Sequence, residues 1–194
     1  MKARVVCAWL AALLCACQPE QPSFVGRDVT GLKVGRDFHL VDPDGKTRAL
    51  ADFHGQVVLL FFGFTQCPDV CPTALARAAE AKHKLGADSG RLQVIFVTVD
   101  PERDKPALLK AYTAAFDRSF IGLSTSPEET RKTADAFGVF YQKVPTSSSY
   151  TVDHTAISFV FDATGALRLA VPPNETADQL AADIEALLKF TRHT

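Results

Sequence analysis

Two long apolar segments constrain the fold more than any other feature of this chain. Residues 57–64 (VVLLFFGF) and 92–99 (LQVIFVTV) are rich in β-branched and aromatic side chains. A strand that is apolar on both faces is typical of the buried centre of a sheet. Residues 72–85, between the two segments, are rich in alanine and carry Leu75 and Ala79 at helical spacing. The sequence therefore predicts two central strands with a helix between them.

The rest of the chain alternates strands and helices in the same way. A short strand is predicted at 38–41 and a tight turn at 42–45. The other predicted elements are helices at 106–116, 127–137 and 176–190, a strand at 120–123, and a hairpin of strands 157–161 and 167–171. Pro127 suits the first turn of its helix, Gly138 ends that helix, and Thr176 caps the last one. The pattern predicts the α/β class, with a central mixed sheet and helices on both faces. A thioredoxin-like fold fits it, as do other α/β sandwiches.

The N-terminus has the order of an export signal. A short basic start (Lys2 and Arg4) precedes an apolar run that ends in LCAC at 14–17. These four residues resemble the bacterial lipobox, in which the last cysteine is acylated, although Cys15 stands where alanine or serine is usual. An uncut signal anchor is the alternative interpretation.

The lipoprotein interpretation divides the chain into three parts. We expect residues 1–16 to be removed as a lipoprotein-type signal peptide and Cys17 to carry the lipid. Residues 17–36 are rich in proline, glycine and polar residues, which indicates a flexible stalk. Residues 37–191 would then form one domain, held on the periplasmic side of a bacterial membrane.

Charge and hydropathy exclude two large classes of function. The chain has 21 basic and 22 acidic residues, so it has no basic excess with which to bind phosphate backbones. We therefore expect no nucleic-acid partner. It also has no uninterrupted apolar span of about 20 residues, which argues against a multi-pass membrane protein.

Cysteine usage leaves one pair for chemistry. Of the five cysteines, Cys7 and Cys15 leave with the predicted signal peptide, and Cys17 is the predicted lipidation site. Cys67 and Cys71 remain, at the junction between the first apolar strand and the helix that follows it. This pair is the candidate redox couple and the candidate source of metal ligands.

The spacing of the pair supports two kinds of chemistry. Cysteines four residues apart on a helix have Cα atoms roughly 6 Å apart, which suits a disulfide or joint ligation of one metal ion. The positive end of the helix dipole would stabilise a thiolate, which is both the nucleophile of disulfide exchange and a ligand for soft metals. A purely structural disulfide is the alternative, although so short a loop would contribute little stability.

A third ligand would have to come from one of five histidines. His154 lies just before the predicted strand at 157–161 and after a Ser/Thr-rich loop at 146–149. A histidine on such a loop can reach over the end of a neighbouring strand. The other four are predicted to lie at the surface or in the C-terminal tail: His39, His54, His83 and His193.

Three motifs together resemble the Sco/SenC family. They are GFTQCPDVCP at 63–72, VTVDPERD at 97–104 and SYTVDHT at 149–155. Members of this family are membrane-tethered, thioredoxin-like proteins that bind copper and help to assemble the copper centre of cytochrome c oxidase. The resemblance implies that Cys67, Cys71 and His154 bind copper. It also implies the copper-bearing oxidase subunit, or another cuproprotein, as a client, and a copper donor or thiol reductase as a further partner.

Coordination chemistry agrees with that ligand set. Two thiolates and one imidazole form a soft site that suits Cu(I) and tolerates Cu(II). The only methionine is Met1, which leaves with the signal peptide, so a thioether site is excluded. Zinc prefers a closed site of four ligands, and a fourth is not evident. Asp69 and Asp153 flank the ligands and are interpreted either as residues around the site or as ordinary solvent-facing carboxylates.

Two other functions use the same residues. A thiol–disulfide oxidoreductase that reduces client cysteines would need only Cys67 and Cys71, although its usual motif is CxxC rather than CxxxC. A peroxiredoxin would need a threonine three residues before the reactive cysteine, whereas Thr65 stands two before Cys67. Copper delivery is therefore the preferred hypothesis, with thiol reduction as the alternative. Both can operate in one protein, which is then not a classical enzyme but can have thiol–disulfide reductase activity.

Overall fold

The two apolar segments form adjacent strands at the centre of a sheet. The structure is a computed structural model that describes residues 23–35 and 37–190. Strands β4 (Val57–Gly63) and β5 (Leu92–Thr98) pair in parallel over their whole length, and every residue in both is buried. Burial on both faces explains why neither segment alternates between apolar and polar residues. The predictions for residues 1–16 and Cys17 lie outside the described residues.

The main sheet is mixed, as predicted. Its other strands are β1 (Arg27–Asp28), β6 (Ile121–Leu123), β9 (Ser158–Phe161) and β10 (Leu167–Val171). The strand order is β1-β10-β9-β4-β5-β6. Pairs β4–β5 and β5–β6 are parallel, and the pairs that involve β9 and β10 are antiparallel. The predicted hairpin is therefore confirmed as β9 and β10.

The described part of the chain has four α-helices: α1 (Val70–Lys84), α2 (Pro106–Ala114), α3 (Pro127–Ala136) and α4 (Ala177–Phe190). The Thr176 hydroxyl accepts a hydrogen bond from the Gln179 amide and so caps α4, as expected. Helix α1 begins two residues earlier than predicted, so that Cys71 lies inside its first turn.

Helices cover both faces of the sheet. Successive residues of a strand point to opposite faces, so Phe61 and Phe62 lie on opposite sides. Phe96, the pairing partner of Phe61, contacts Tyr112 of α2 with ring centroids 5.4 Å apart. Phe62 contacts Phe137, at the end of α3, at 5.2 Å. This arrangement confirms the predicted thioredoxin-like α/β fold.

Two small hairpins were missed by the sequence analysis, in whole or in part. Strands β2 (Leu40–Val41) and β3 (Thr47–Arg48) form one, of which only the first strand was predicted. Strands β7 (Tyr141–Pro145) and β8 (Tyr150–His154) form the other, and residues 146–149 are its turn. Most side chains of β7 and β8 are exposed or half-buried, so their sequence is polar and resembles a loop.

The folded region begins earlier than the predicted boundary at residue 37. Strand β1 lies within the predicted stalk 17–36, yet it pairs with β10 through Arg27 and Asp28. A strand of two residues is too short to produce a periodic pattern, which is why it was missed. In the part of the chain that the structure describes, no helix is long and apolar enough to cross a membrane.

Candidate metal centre

The two cysteines lie where β4 gives way to α1. Cys71 is buried in the first turn of α1, whereas Cys67 lies in the preceding turn, where its amide donates to the Phe64 carbonyl. The helical geometry assumed for the spacing of the pair is therefore wrong for Cys67, which precedes the helix. The turn nevertheless brings them together, because the Cys71 amide lies 3.3 Å from the Cys67 sulfur and donates to it.

The β7–β8 hairpin carries His154 to the cysteines. His154 is the last residue of β8 rather than part of a loop, and its Nε2 lies 3.4 Å from the Cys71 Sγ. Its Nδ1 lies 3.0 Å from the Thr155 carbonyl oxygen. Because a carbonyl oxygen only accepts, Nδ1 holds the proton and Nε2 directs its lone pair towards the sulfurs.

The three side chains form a compact donor set. Ligand atoms of Cys67, Cys71 and His154 all lie within 4.8 Å of one another. The imidazole packs edge-on against the rings of Phe61 and Phe64, at centroid distances of 6.0 and 5.9 Å. These contacts fix the ring plane, so the donors are held in place before any ion arrives.

The other described histidines do not join this group. His39, His54 and His83 are all exposed, as the sequence predicted. His193 lies outside the described residues. Among residues 23–35 and 37–190, Cys67, Cys71 and His154 form the one group of three or more histidine, cysteine or acidic side chains close enough to hold a metal ion.

Burial rather than the helix dipole controls the thiol of Cys71. The sequence suggested a stabilised thiolate, but desolvation raises the pKa of Cys71 above its ordinary value, and the neighbouring Cys67 adds to the effect. Desolvation also lowers the pKa of His154, so its imidazole is neutral at neutral pH. Without a metal ion, the site therefore holds a protonated Cys71 beside a neutral imidazole.

Gly63 leaves the space that the Cys71 sulfur occupies. A Cβ built on Gly63 would lie 2.7 Å from that sulfur and 2.8 Å from Cε2 of Phe96. Both distances are far below ordinary contact, and both neighbours are buried. Gly63 is therefore required by close packing at the site, a role that sequence reasoning missed. The signal was a glycine at the end of an otherwise apolar strand.

We expect Gly63→Ala to destabilise the fold by about 1–3 kcal/mol, because the new methyl overpacks a buried site. It should also displace the Cys71 sulfur and weaken metal binding. Chemical denaturation and a metal-binding titration measure the two effects. Gly90→Ala is the matched control, since nothing lies within 4 Å of its added Cβ. Unchanged stability in Gly63→Ala would contradict the packing argument.

A buried carboxylate organises the segment that leads to Cys67. Asp104 is 1% exposed and accepts from the Thr65 amide at 3.0 Å, the Thr65 hydroxyl at 2.6 Å and the Thr98 hydroxyl at 2.5 Å. The aspartate therefore connects the end of β5 to the turn that precedes Cys67. It belongs to the VTVDPERD motif, for which sequence reasoning found no structural role.

The same motif holds the hairpin that carries His154. The Arg103 guanidinium pairs with Asp100, donates to the Tyr150 carbonyl at 2.7 Å and stacks 3.7 Å from the Tyr150 ring. The Tyr150 hydroxyl donates to Asp100 at 2.9 Å. Thus one short loop positions both sides of the site, the cysteine turn through Asp104 and the histidine strand through Arg103.

The two carboxylates beside the ligands are exposed. Asp69 accepts only a long hydrogen bond from the Thr73 hydroxyl at 3.4 Å, and Asp153 also faces solvent. Asp153 lines, with Cys67 and His154, an open groove of about 340 Å³. Of the two interpretations, the geometry favours solvent-facing carboxylates at the rim of the site.

This donor set supports two reactions. Two sulfurs and one nitrogen form a three-coordinate site that suits a soft ion such as Cu(I), with room for a further ligand from the groove. The two free thiols can also lose two electrons and two protons together to form a disulfide.

Comparison with known proteins gives one consistent family. The SCO1/SenC family model matches residues 27–189. An SCO2-like protein of Rickettsia felis is 35% identical over 161 residues, which cover 80% of this chain and 78% of the relative. Solution structures of apo Sco1 from Thermus thermophilus share 46% identity with a TM-score of 0.77, and cover 87% of this chain and 99% of that one. The structure of Bradyrhizobium japonicum ScoI with copper bound shares 39% identity with a TM-score of 0.72, and covers 78% and 98%.

Proposed function

The chain belongs to the SCO1/SenC family, and from this membership we propose that it binds copper through Cys67, Cys71 and His154 and delivers it to the copper centre of cytochrome c oxidase. The observation that carries the proposal is the close approach of the three ligand atoms, all within 4.8 Å of one another. The copper-bound relative from Bradyrhizobium japonicum supports the choice of metal. Copper is here the cargo, and it arrives from a donor protein.

The unequal burial of the ligands suggests an order of release. Cys67 is half-buried and lines the open groove, whereas Cys71 is buried. An incoming cysteine of the client would approach through the groove, bind the three-coordinate ion and displace Cys67 first. The Cys71 thiolate would leave last, since its protonation and burial accompany release of the metal.

Thiol reduction of the client is the second candidate function. It is favoured by the position of Cys67 at the groove, where its thiolate can attack a client disulfide. Cys71 then attacks the mixed disulfide, so two thiols of this protein become a disulfide as the client regains two thiols. The exchange needs only the two thiols, and it does not require His154 as a ligand.

Oxidase assembly in cells at limiting copper separates the two functions. We expect cells that carry either His154→Ala or Cys71→Ala to lose oxidase activity, because both variants lose a copper ligand. His83→Ala is the matched control, since His83 is an exposed histidine of α1. Normal oxidase activity in His154→Ala cells, with activity lost in Cys71→Ala cells, would overturn copper delivery in favour of thiol reduction.

Copper affinity should fall on acidification. The pKa of Cys71 is raised, so its thiol must release a proton when copper binds, and Cys67 must bind as thiolate too. For each proton that is released on binding, the apparent affinity should therefore drop about tenfold per pH unit between pH 8 and 6. A competition titration against a chelator of known pH dependence measures the slope. An affinity that is constant across this range contradicts binding by thiolates.

We also propose that Cys17 anchors the protein. The supporting observation is the signal-like order of residues 1–17, with LCAC at 14–17. Removal of residues 1–16 and acylation of Cys17 would hold the copper domain on the periplasmic side of the membrane. The intact mass of protein extracted from membranes tests this, and an unmodified chain that begins at Met1 would contradict it.

A further inference from the structure

Glu175 is an unusual buried acid on the segment between β10 and α4. The residue is only 5% exposed, yet neither oxygen of its carboxylate has a hydrogen-bond partner among the described residues. Buried polar atoms are normally hydrogen-bonded, because a buried charge without a partner is costly. The side chain therefore calls for an explanation that is independent of the metal centre.

A second buried carboxylate lies close to Glu175 and holds the N-terminal segment. Asp183 of α4 is 2% exposed and accepts from the amides of Val25 at 2.8 Å and Gly26 at 2.7 Å. A Cβ built on Gly26 would lie 3.0 Å from Asp183 Oδ2 and 3.4 Å from Glu175 Oε2. Both carboxylates thus face the same point of the backbone.

The nearby arginine does not form an ion pair with Glu175. Arg77 of α1 uses its Nη1 to donate to backbone carbonyls, of Pro173 at 2.5 Å and of Glu175 itself at 2.9 Å. Its Nε has no hydrogen-bond partner among the described residues. The guanidinium supports the loop, and the Glu175 carboxylate remains without an ion pair beside Gly26, where Asp183 also lies.

We propose that Glu175 holds a proton while the segment 25–28 is docked beside it, and that loss of this proton loosens the segment from the domain. With the proton present, the protonated Glu175 leaves Asp183 as the single charge, free to accept both amides. When the proton is lost, two like charges are buried at one site and the docked segment is destabilised. The segment is where the N-terminal part of the chain enters the sheet, since β1 pairs with β10.

The electrostatic surroundings agree with this geometry. Burial, followed by the charge of Asp183, raises the pKa of Glu175 to about 7, and Arg77 opposes the shift only in part. The next charged residues of the docked segment, Arg27 and Asp28, are exposed. Because the docked state binds the proton more tightly than a free glutamate does, docking is strongest in acid. It weakens as the pH rises towards 7 and changes little above that.

Hydrogen–deuterium exchange on the full-length chain in detergent tests the proposal. After correction for the intrinsic exchange rate, protection of the amides in 25–28 should fall more than tenfold between about pH 5 and pH 7.5. Protection of the β4 amides should stay unchanged, which separates local release from global unfolding.

Two variants and one control complete the test. Glu175→Gln is neutral at every pH and does not titrate, so protection of 25–28 should be high and independent of pH. Asp183→Asn loses the charged acceptor and should lower protection at both pH values. Glu128→Gln, at an exposed site on α3, should behave as the unmodified protein. The proposal is overturned if the unmodified protein shows no pH dependence, or if Glu175→Gln retains it.

Discussion

Replacement of Cys71 with serine is expected to abolish tight copper binding. A serine hydroxyl stays protonated and is a hard donor, so the site retains one thiolate and one imidazole for a soft ion. Loss of residues that only support a ligand costs about 10–100-fold in metal affinity, and loss of the buried thiolate should cost more. Competition with a Cu(I) chelator under reducing, anaerobic conditions measures the change.

Thr73→Ala provides the control for Cys71→Ser. Thr73 lies two residues after Cys71 in α1 and is exposed. Its hydroxyl makes only a long hydrogen bond to Asp69. Its copper affinity should equal that of the unmodified protein. If Cys71→Ser retained its copper affinity, the buried thiolate of Cys71 would not be a copper ligand.

Replacement of His154 with alanine is expected to lower copper affinity by about 100-fold or more, because a three-coordinate site loses its nitrogen ligand. The Cys67–Cys71 disulfide should still form and be reduced in this variant, since exchange depends on the thiolates and their access. Copper titration and thiol counting on the same sample report the two properties separately.

His83→Ala is the control for the loss of a histidine, and it should change neither property. Equal copper affinity in His154→Ala and the unmodified protein would show that the imidazole is not a ligand. Loss of disulfide formation in His154→Ala would instead show that the histidine holds the cysteines in place, and that the copper effect is indirect.

The central part of the fold was predictable because burial leaves a simple pattern. Strands β4 and β5 are buried on both faces, so their sequences are largely apolar and do not alternate between apolar and polar residues. Helix α3 has Pro127 at its start and Gly138 after its end, two residues whose backbone preferences mark a helix directly. In both cases a local rule and the tertiary structure agree.

The hairpin that carries His154 was not predictable in the same way. Val152 is the one buried residue of β8, and the other side chains are polar or half-buried. The hairpin is held by Arg103 and Asp100, nearly 50 residues earlier, rather than by an apolar face of its own. Such long-range polar contacts leave no periodic signal, so the histidine was identified only by its motif.

The chemistry of Cys71 depends on packing that a local pattern does not record. Its position at the start of α1 suggested a stabilised thiolate, but the turn directs the sulfur inwards beside Gly63, where it is buried. Desolvation then outweighs the helix dipole, and the pKa rises. The ligand identities followed from the motifs, whereas the protonation state followed only from the structure.

Metal analysis of the reduced full-length protein tests the central claim most directly. Copper content and X-ray absorption spectra would be measured anaerobically on the unmodified protein and on His154→Ala. We predict one copper ion per chain with two sulfur neighbours and one nitrogen neighbour, and loss of the nitrogen neighbour together with lower copper content in the variant. The account would be contradicted if the unmodified protein, with both thiols reduced, retained no copper, or if the variant showed the same nitrogen neighbour.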